Sequence, residues 1–242
     1  MITFRNKFFG HRPTIDHTEA FDTGFGNLLF WIAGTIGIAV KNGYEYTFPA
    51  WNNRQFFTHP LPESVIDESR YQEFDIPWGF HGFDVPDNVT IFGFMQTDKY
   101  FAHCGDLIRY YFELKPPVGI KPYEDCILMH YRNYKHPWFV DLGREYYLEA
   151  LKHLPDRHVV IVTDNITEAR KAIGGDFEYV SNTPWVDFYL LSKADYIVIG
   201  NSSFSWWGAW LSRAVTVAPS RWFTDELPQS TEDFYCENWL KV

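Results

Sequence analysis

Three short segments combine residue types and spacings suited to an anionic or sugar ligand. Asn201-Ser202-Ser203 stands between the apolar run Tyr196 to Gly200 and the aromatic-rich stretch Phe204 to Leu211. A polar elbow of this kind caps a helix and leaves hydroxyls and amide donors aimed outward, which is the form of an anion pocket. His130-Tyr131-Arg132 follows the run Cys126 to Met129. An Arg leaving a sheet edge offers fork-shaped donors to a diphosphate, or else pairs with a surface carboxylate. Thr23-Gly24-Phe25-Gly26-Asn27 leads into the apolar stretch Leu28 to Val40. Two glycines one residue apart let backbone N–H groups approach an anion or sugar at a helix N-terminus; the same pattern also makes an ordinary tight turn, and the third glycine of a dinucleotide fingerprint is missing. No standard metal site is encoded: Asp-x-Asp and His-Glu-x-x-His are absent, and His130 and His136 have no third ligand at a suitable spacing.

These loops need a frame, and the second half of the chain supplies its pattern. Short apolar or β-branched runs recur at Cys126 to Tyr131, His158 to Thr163, Phe177 to Val180, Tyr196 to Gly200 and Val215 to Ala218. Each has the length and character of a buried parallel strand. Helical patterns lie between them, at Gly143 to Leu154, Thr167 to Ile173, Pro184 to Ala194 with Thr183 as N-cap, and Phe204 onward. Strand and helix in alternation predict a doubly wound α/β domain, whose ligands bind at the carboxyl ends of strands.

The first half is less regular. Met1 to Phe4 and Tyr44 to Phe48 read as strands, Asn27 to Asn42 as a buried helix, Asn88 to Phe94 as a strand and Gln96 to Glu113 as a helix. Pro49 to Gly82 shows no clear periodicity. Lys115 to Pro122 carries three prolines and is the best linker.

Composition narrows the classes further. With 242 residues and 46% hydrophobic content the chain buries a substantial core, and a formal charge of −10 argues against general nucleic-acid binding. Three widely spaced cysteines encode neither a disulfide framework nor a zinc knuckle, so a reducing, cytoplasmic setting is expected. Leu28 to Val40 falls short of the roughly 20 apolar residues of a membrane span, so no transmembrane segment is expected. Aromatic residues reach 19%. Trp206, Trp207 and Trp210 read as core, whereas Trp51, Phe56, Phe57, Trp78 and Phe80 lie in the irregular stretch and are candidate sugar-stacking rings.

Asp187 to Asp195 leading to Asn201-Ser202-Ser203-Phe204-Ser205-Trp206-Trp207-Gly208-Ala209-Trp210-Leu211 closely resembles the signature of the α-1,2-fucosyltransferases, glycosyltransferase family 11. Gly24-Phe25-Gly26-Asn27, Gly93 to Phe101 and Val217 to Phe223 are similar to the family's other segments, in family order. The resemblance implies a GT-B type α/β fold of two Rossmann-like doubly wound domains facing across a cleft. An acceptor-side domain would span 1–114, a linker 115–124 and a nucleotide-sugar-binding domain 125–242. It implies metal-independent, inverting transfer of L-fucose from GDP-fucose to a hydroxyl of a galactoside or related glycan, in α-1,2 linkage, with the donor as substrate and no cofactor.

Carried over residue by residue, the resemblance places Arg132 on the β-phosphate with His130 supporting that loop, and Asp187 against the guanine. Ser202, Ser203, Phe204 and Ser205 would reach phosphate and sugar, and Gly24, Gly26 and Asn27 would form the opening donor loop. The family's His-x-Arg-Arg-x-Asp-Tyr is here His130-Tyr131-Arg132-Asn133-Tyr134-Lys135-His136, so Asn133 replaces the second Arg and Lys135 the Asp. That departure leaves open a different nucleotide-sugar donor, or a non-catalytic glycan-binding relative. Asp16, His17, Asp22 and His11 are candidates for the base that activates the acceptor hydroxyl, by their proximity to the glycine loop.

Overall fold

The computed structural model describes residues 1–4, 24–132, 136–227 and 229–242. The chain divides into two compact units, one of Met1–Lys115 with Glu232–Cys236, the other of Pro116–Thr231 with Glu237–Val242. The candidates His11, Asp16, His17 and Asp22, and the departures Asn133 and Lys135, lie outside the described residues.

In the first unit, β1 (Thr3–Phe4), β2 (Gln72–Asp75) and β3 (Val89–Phe92) form a parallel sheet in the order β1-β3-β2. Helix α1 (Phe25–Asn42) is buried along most of its length, as its apolar composition requires. It passes so close to the next segment that a Cβ on Gly37 would stand 2.0 Å from the Tyr100 carbonyl oxygen. The strand expected at Tyr44 to Phe48 reduces to isolated bridges, Ile2 with Tyr46 and Phe48 with Glu63. The continuous helix expected over Gln96 to Glu113 is instead two 3₁₀ turns, Asp98–Tyr100 and Ala102–Cys104, followed by α2 (Gly105–Tyr111). Thr97 accepts a bond from the Lys99 N–H, and Phe101 leaves the helical region with φ −136° and ψ 0°; this lets the adjacent rings of Tyr100 and Phe101 both be buried.

Rings fill this unit. Phe57 packs 5.3 Å from Trp51, 5.8 Å from Phe112 and 6.3 Å from Phe25, centroid to centroid. Trp51 and Phe57 are therefore core residues rather than stacking surface, which corrects their reading as candidate sugar platforms; Phe56, Trp78 and Phe80 are half-buried. Residues 232–236 complete the unit: the Phe80 N–H donates to Asp233 Oδ2 at 2.9 Å, Lys99 pairs with Asp233, and Phe234 lies 5.4 Å from Trp78.

The second unit alternates as its sequence predicts through β4 (Cys126–Tyr131), α3 (Gly143–Leu151), β5 (His158–Thr163), α4 (Ile166–Ile173), β6 (Glu178–Val180), α5 (Pro184–Leu191), β7 (Tyr196–Val198), α6 (Ser203–Ser212) and β8 (Val215–Ala218), and it adds β9 (Leu240–Lys241), which the sequence did not mark. All six strands are parallel, in the order β6-β5-β4-β7-β8-β9. From β4 the sheet grows outward through β5 and β6, and the chain then returns to the other side of β4 with β7. Right-handed crossovers in opposite directions put the helices on opposite faces, with α3 packed on α4 and α5 on α6. This is the strand order of a dinucleotide-binding doubly wound sheet, with its switch point between β4 and β7. The core against the sheet includes the β-branched Ile127, Ile161, Val198 and Val217 together with Met129, Tyr147 and Tyr179. Trp206, Trp207 and Trp210 are buried on α6, as expected, with centroids 5.1 Å and 5.4 Å apart in succession.

Candidate functional site

The switch point brings two of the expected loops together. His130 and Arg132 leave the carboxyl end of β4, and Asn201 to Ser203 leave that of β7, its neighbour. Phe204, in the first turn of α6, joins them: its ring lies 5.6 Å from His130 and 5.1 Å from Phe188 on α5.

Arg132 is exposed, and its Nε stands 3.9 Å from Asp164 Oδ2, just past β5. The carboxylate pairing left open by the sequence is thus present. An exposed pair of this kind contributes no more than about 1 kcal/mol, so a diphosphate can displace it. His130 is 6% exposed and its Nδ1 has no hydrogen-bond partner among the described residues. Burial, reinforced by the Arg132 charge, pushes its pKa down to about 3. The imidazole is therefore neutral at ordinary pH and adds no cation to the loop.

Asp187 lies in the first turn of α5 and is 6% exposed. Burial lifts its pKa to about 6, against the opposing pull of Asn182, which donates from Nδ2 to Oδ1 at 2.8 Å and from its backbone N–H to Oδ2 at 3.3 Å. Near neutral pH a carboxylate held at this value accepts N–H donors readily.

At the elbow, Ser202 Oγ accepts from the Phe204 N–H at 3.3 Å and caps α6. Asn201 does not cap: its Nδ2 donates to the carbonyls of Val140 at 2.7 Å and Trp222 at 3.3 Å, tying three loops together. Ser205 is fully buried, with its hydroxyl directed at the carbonyls of Ser202 at 3.2 Å and Gly200 at 3.4 Å. Ser203 and Phe204 are half-buried, so the elbow offers a ligand its first-turn amides and the Ser203 hydroxyl.

A cavity of about 500 Å³ opens at the same end of the sheet, bounded by Tyr131, Arg132, Tyr147, Glu168, Lys171 and Asn201 among others. Of the expected C-terminal contacts only Arg132 lines it; Asp187 and Ser202 to Ser205 do not. Arg132 therefore borders both the elbow side and the room beside α3 and α4.

Gly24, Gly26 and Asn27 belong to the first unit. Gly24 caps α1 with φ 95°, a left-handed conformation suited to glycine, and no side chain among the described residues caps that helix. Asn27 Oδ1 accepts from Gln96 Nε2 at 2.7 Å, which fixes its carboxamide.

Sequence reasoning did not single out Asp164, Asn182, Tyr146 or Tyr147. The rule that sites gather at strand ends pointed toward Asp164, directly after β5; nothing in the local pattern marked the tyrosines.

Residues 132–242 match the family model described as Glycosyl transferase family 11. Over 187 residues the chain is 29% identical to an Alpha-1,2-colitosyltransferase of Escherichia coli, covering 64% of this chain and 63% of that protein. Over 95 residues it is 30% identical to the O-antigen biosynthesis glycosyltransferase WbnK of Escherichia coli, covering 34% of this chain and 32% of that one. Each alignment thus spans less than two thirds of the relative's length. Arg132 is the first residue of the matched region, and Asp187, the Asn201–Ser203 elbow and the tryptophan helix lie inside it; over these residues the chain is similar to glycosyl transferase family 11.

Proposed function

We propose that the protein is a metal-independent, inverting glycosyltransferase of GT-B type that moves L-fucose from GDP-fucose to a hydroxyl of a galactoside or related glycan, in α-1,2 linkage. The observation that carries this reading is the placement of Arg132 and the Ser202–Phe204 elbow at the adjacent strand ends of the switch point.

The chemistry follows from charge. As the bond from the sugar to the diphosphate breaks, the sugar becomes oxocarbenium-like and the leaving diphosphate gains negative charge. A guanidinium and a helix N-terminus fixed on the leaving group lower that barrier. In this reading Arg132 and the first-turn amides of α6, with Ser203, hold the diphosphate. Asp187 accepts the guanine N–H donors, His130 acts as a neutral packing partner for Phe204, and the cavity beside Arg132 gives room to the transferred sugar. The acceptor side is assigned to the first unit, and Gly24, Gly26 and Asn27 are kept as the opening donor loop.

The relative named for colitosyl transfer favours a second reading in which the sugar is colitose rather than fucose. A transfer assay with a panel of nucleotide sugars, run with and without EDTA, decides. Turnover with GDP-fucose that survives EDTA supports the first reading, and turnover restricted to the colitosyl donor supports the second. Binding of glycan without any nucleotide sugar overturns both. Arg132→Ala is expected to lower kcat/KM by about 100-fold or more. An unchanged value would remove Arg132 from the diphosphate.

A further inference from the structure

Beyond the residues that would touch the donor lies the question of what sets the distance between its two anion-binding elements. β4 and β7 are paired only through Met129 and Val198, although β4 continues with β5 as far as Tyr131 and Thr163. Past that point the two central strands part, and one leads to Arg132 while the other leads to the elbow. The first carbonyl beyond the last pair on each strand is taken up by a phenol. Tyr147 Oη donates to His130 O at 3.2 Å, and Tyr146 Oη donates to Ile199 O at 2.5 Å. The two tyrosines are consecutive on α3, with ring centroids 5.0 Å apart. Tyr147 is 2% exposed, and burial raises its pKa, so the phenol stays protonated and remains a donor. The fork is tight: a Cβ on Gly200 would stand 3.3 Å from His130 O and 3.5 Å from Tyr147 Oη.

We propose that Tyr146 and Tyr147 are positioning residues that bridge the fork between β4 and β7 and so fix the spacing of Arg132 from the α6 N-terminus. Their hydroxyls bond backbone; because Tyr147 also borders the cavity given to the transferred sugar, the effect is read with diphosphates that carry no such sugar. The inference rests on the diphosphate reading given above. A phenol on each strand ties both arms of the fork to a single helix, so loss of either hydroxyl leaves one arm held only from its outer side, by β5 or by the Ile199 N–H bond to Val217. The effect falls on the group that must be held by both arms at once, the diphosphate, and not on a group held by one.

The test is calorimetric binding of GDP, UDP and inorganic pyrophosphate to the full chain, at a temperature well below each variant's melting point. The variants are Tyr146→Phe, Tyr147→Phe and Tyr179→Phe. Tyr179 is the control, because its hydroxyl donates to Gly174 O at 2.9 Å and it lies on β6, the far edge strand of the same sheet. We expect Tyr147→Phe and Tyr146→Phe each to weaken the diphosphate that the wild type prefers by about tenfold. Tyr179→Phe should bind as the wild type does. In the transfer assay Tyr146→Phe and Tyr147→Phe should raise KM for the donor while leaving KM for the acceptor unchanged, and Tyr179→Phe, which would share in any general loosening of the unit, should leave both unchanged. Should Tyr147→Phe fail to fold, Tyr146→Phe carries the test alone, since its ring is only half-buried. Wild-type affinity in folded Tyr146→Phe and Tyr147→Phe, or equal weakening in Tyr179→Phe, overturns the positioning role and leaves the diphosphate reading standing. A wild type that binds no diphosphate overturns that reading, and the positioning role with it.

Discussion

The two units fill their interiors differently. Against its central sheet the C-terminal unit buries many aliphatic, largely β-branched side chains such as Ile127, Ile161, Val198 and Val217, and it gathers its largest rings on α5 and α6, in Phe188, Trp206, Trp207 and Trp210. The N-terminal unit buries rings: Phe57 against Trp51, Phe25 and Phe112, Phe4 stacked on Trp31 at 4.6 Å, and Tyr100 against Phe80 at 4.9 Å. A repeated strand-and-helix layer presents evenly spaced sites that branched side chains fill closely. Short turns and isolated bridges leave uneven spaces, and a ring spans such a space with few rotamers and a large buried area. The regular unit should accordingly tolerate small changes of shape that the ring-filled unit does not.

The strongest challenge to this contrast is Gly37→Ala, whose added methyl must displace the Tyr100 backbone. We expect a loss of about 3 kcal/mol or more, read as a shift in the first unit's denaturant midpoint. A neutral result would show that α1 moves freely and that its packing is loose. Next in size is a pair of swaps. Phe57→Leu should cost about 2 kcal/mol because three ring contacts go at once, whereas Ile161→Val should cost about 1 kcal/mol. Equal costs in urea unfolding would erase the distinction between the two cores.

Where the N-terminal unit is sensitive to shape, the C-terminal one is sensitive to buried charge. Asp187 has its pKa raised to about 6, so its contribution to stability is fully present below pH 4 and is lost as pH rises through 6. Asp187→Asn should therefore stabilise the unliganded protein at pH 7 by up to about 2 kcal/mol, with no gain at pH 4, while weakening nucleotide binding. A gain of the same size at both values would take the carboxyl charge out of the account.

His130 runs the other way. With its pKa pushed down to about 3, its contribution is present above pH 6.5 and lost as pH falls toward 3. The two opposing slopes overlap between about pH 4 and 6 and partly cancel in the wild type. In the Asp187→Asn background, melting temperatures should fall on acidification more steeply than in the wild type. The reverse order would mean that the folded protein lowers the Asp187 pKa rather than raising it.

The same contrast explains what the sequence made legible. β4, β5 and β8 fall on the expected residues because a strand buried on both faces must be an apolar, β-branched run. β2 was invisible: Gln72-Glu73-Phe74-Asp75 has one ring among polar neighbours, and its order comes from backbone pairing to β3. The break of the expected helix at Phe101 is set by α1, whose Gly37 lies more than sixty positions earlier in the chain. At the candidate site, the places of Arg132, Asp187 and Ser202 were readable because strand ends and helix starts are local signals. The inward turn of the Ser205 hydroxyl depends on carbonyls that only the finished elbow presents. The reach of Tyr146 and Tyr147 joins α3 to two strands distant in sequence, which no local pattern encodes.

The segment Glu232–Cys236 has a consequence for how the protein is made. It lies near the far end of the sequence yet belongs to the first unit, where Asp233 receives the Phe80 N–H and pairs with Lys99. A ribosome releases the chain in order, so the N-terminal half emerges first but lacks five of its own residues until position 236 has been synthesised. The C-terminal sheet, whose β4 to β8 are contiguous, can be assembled before that moment. The later half of the message thus governs when the earlier half is finished, and a ribosome stalled anywhere before residue 232 would hold a nascent chain with its first unit still open.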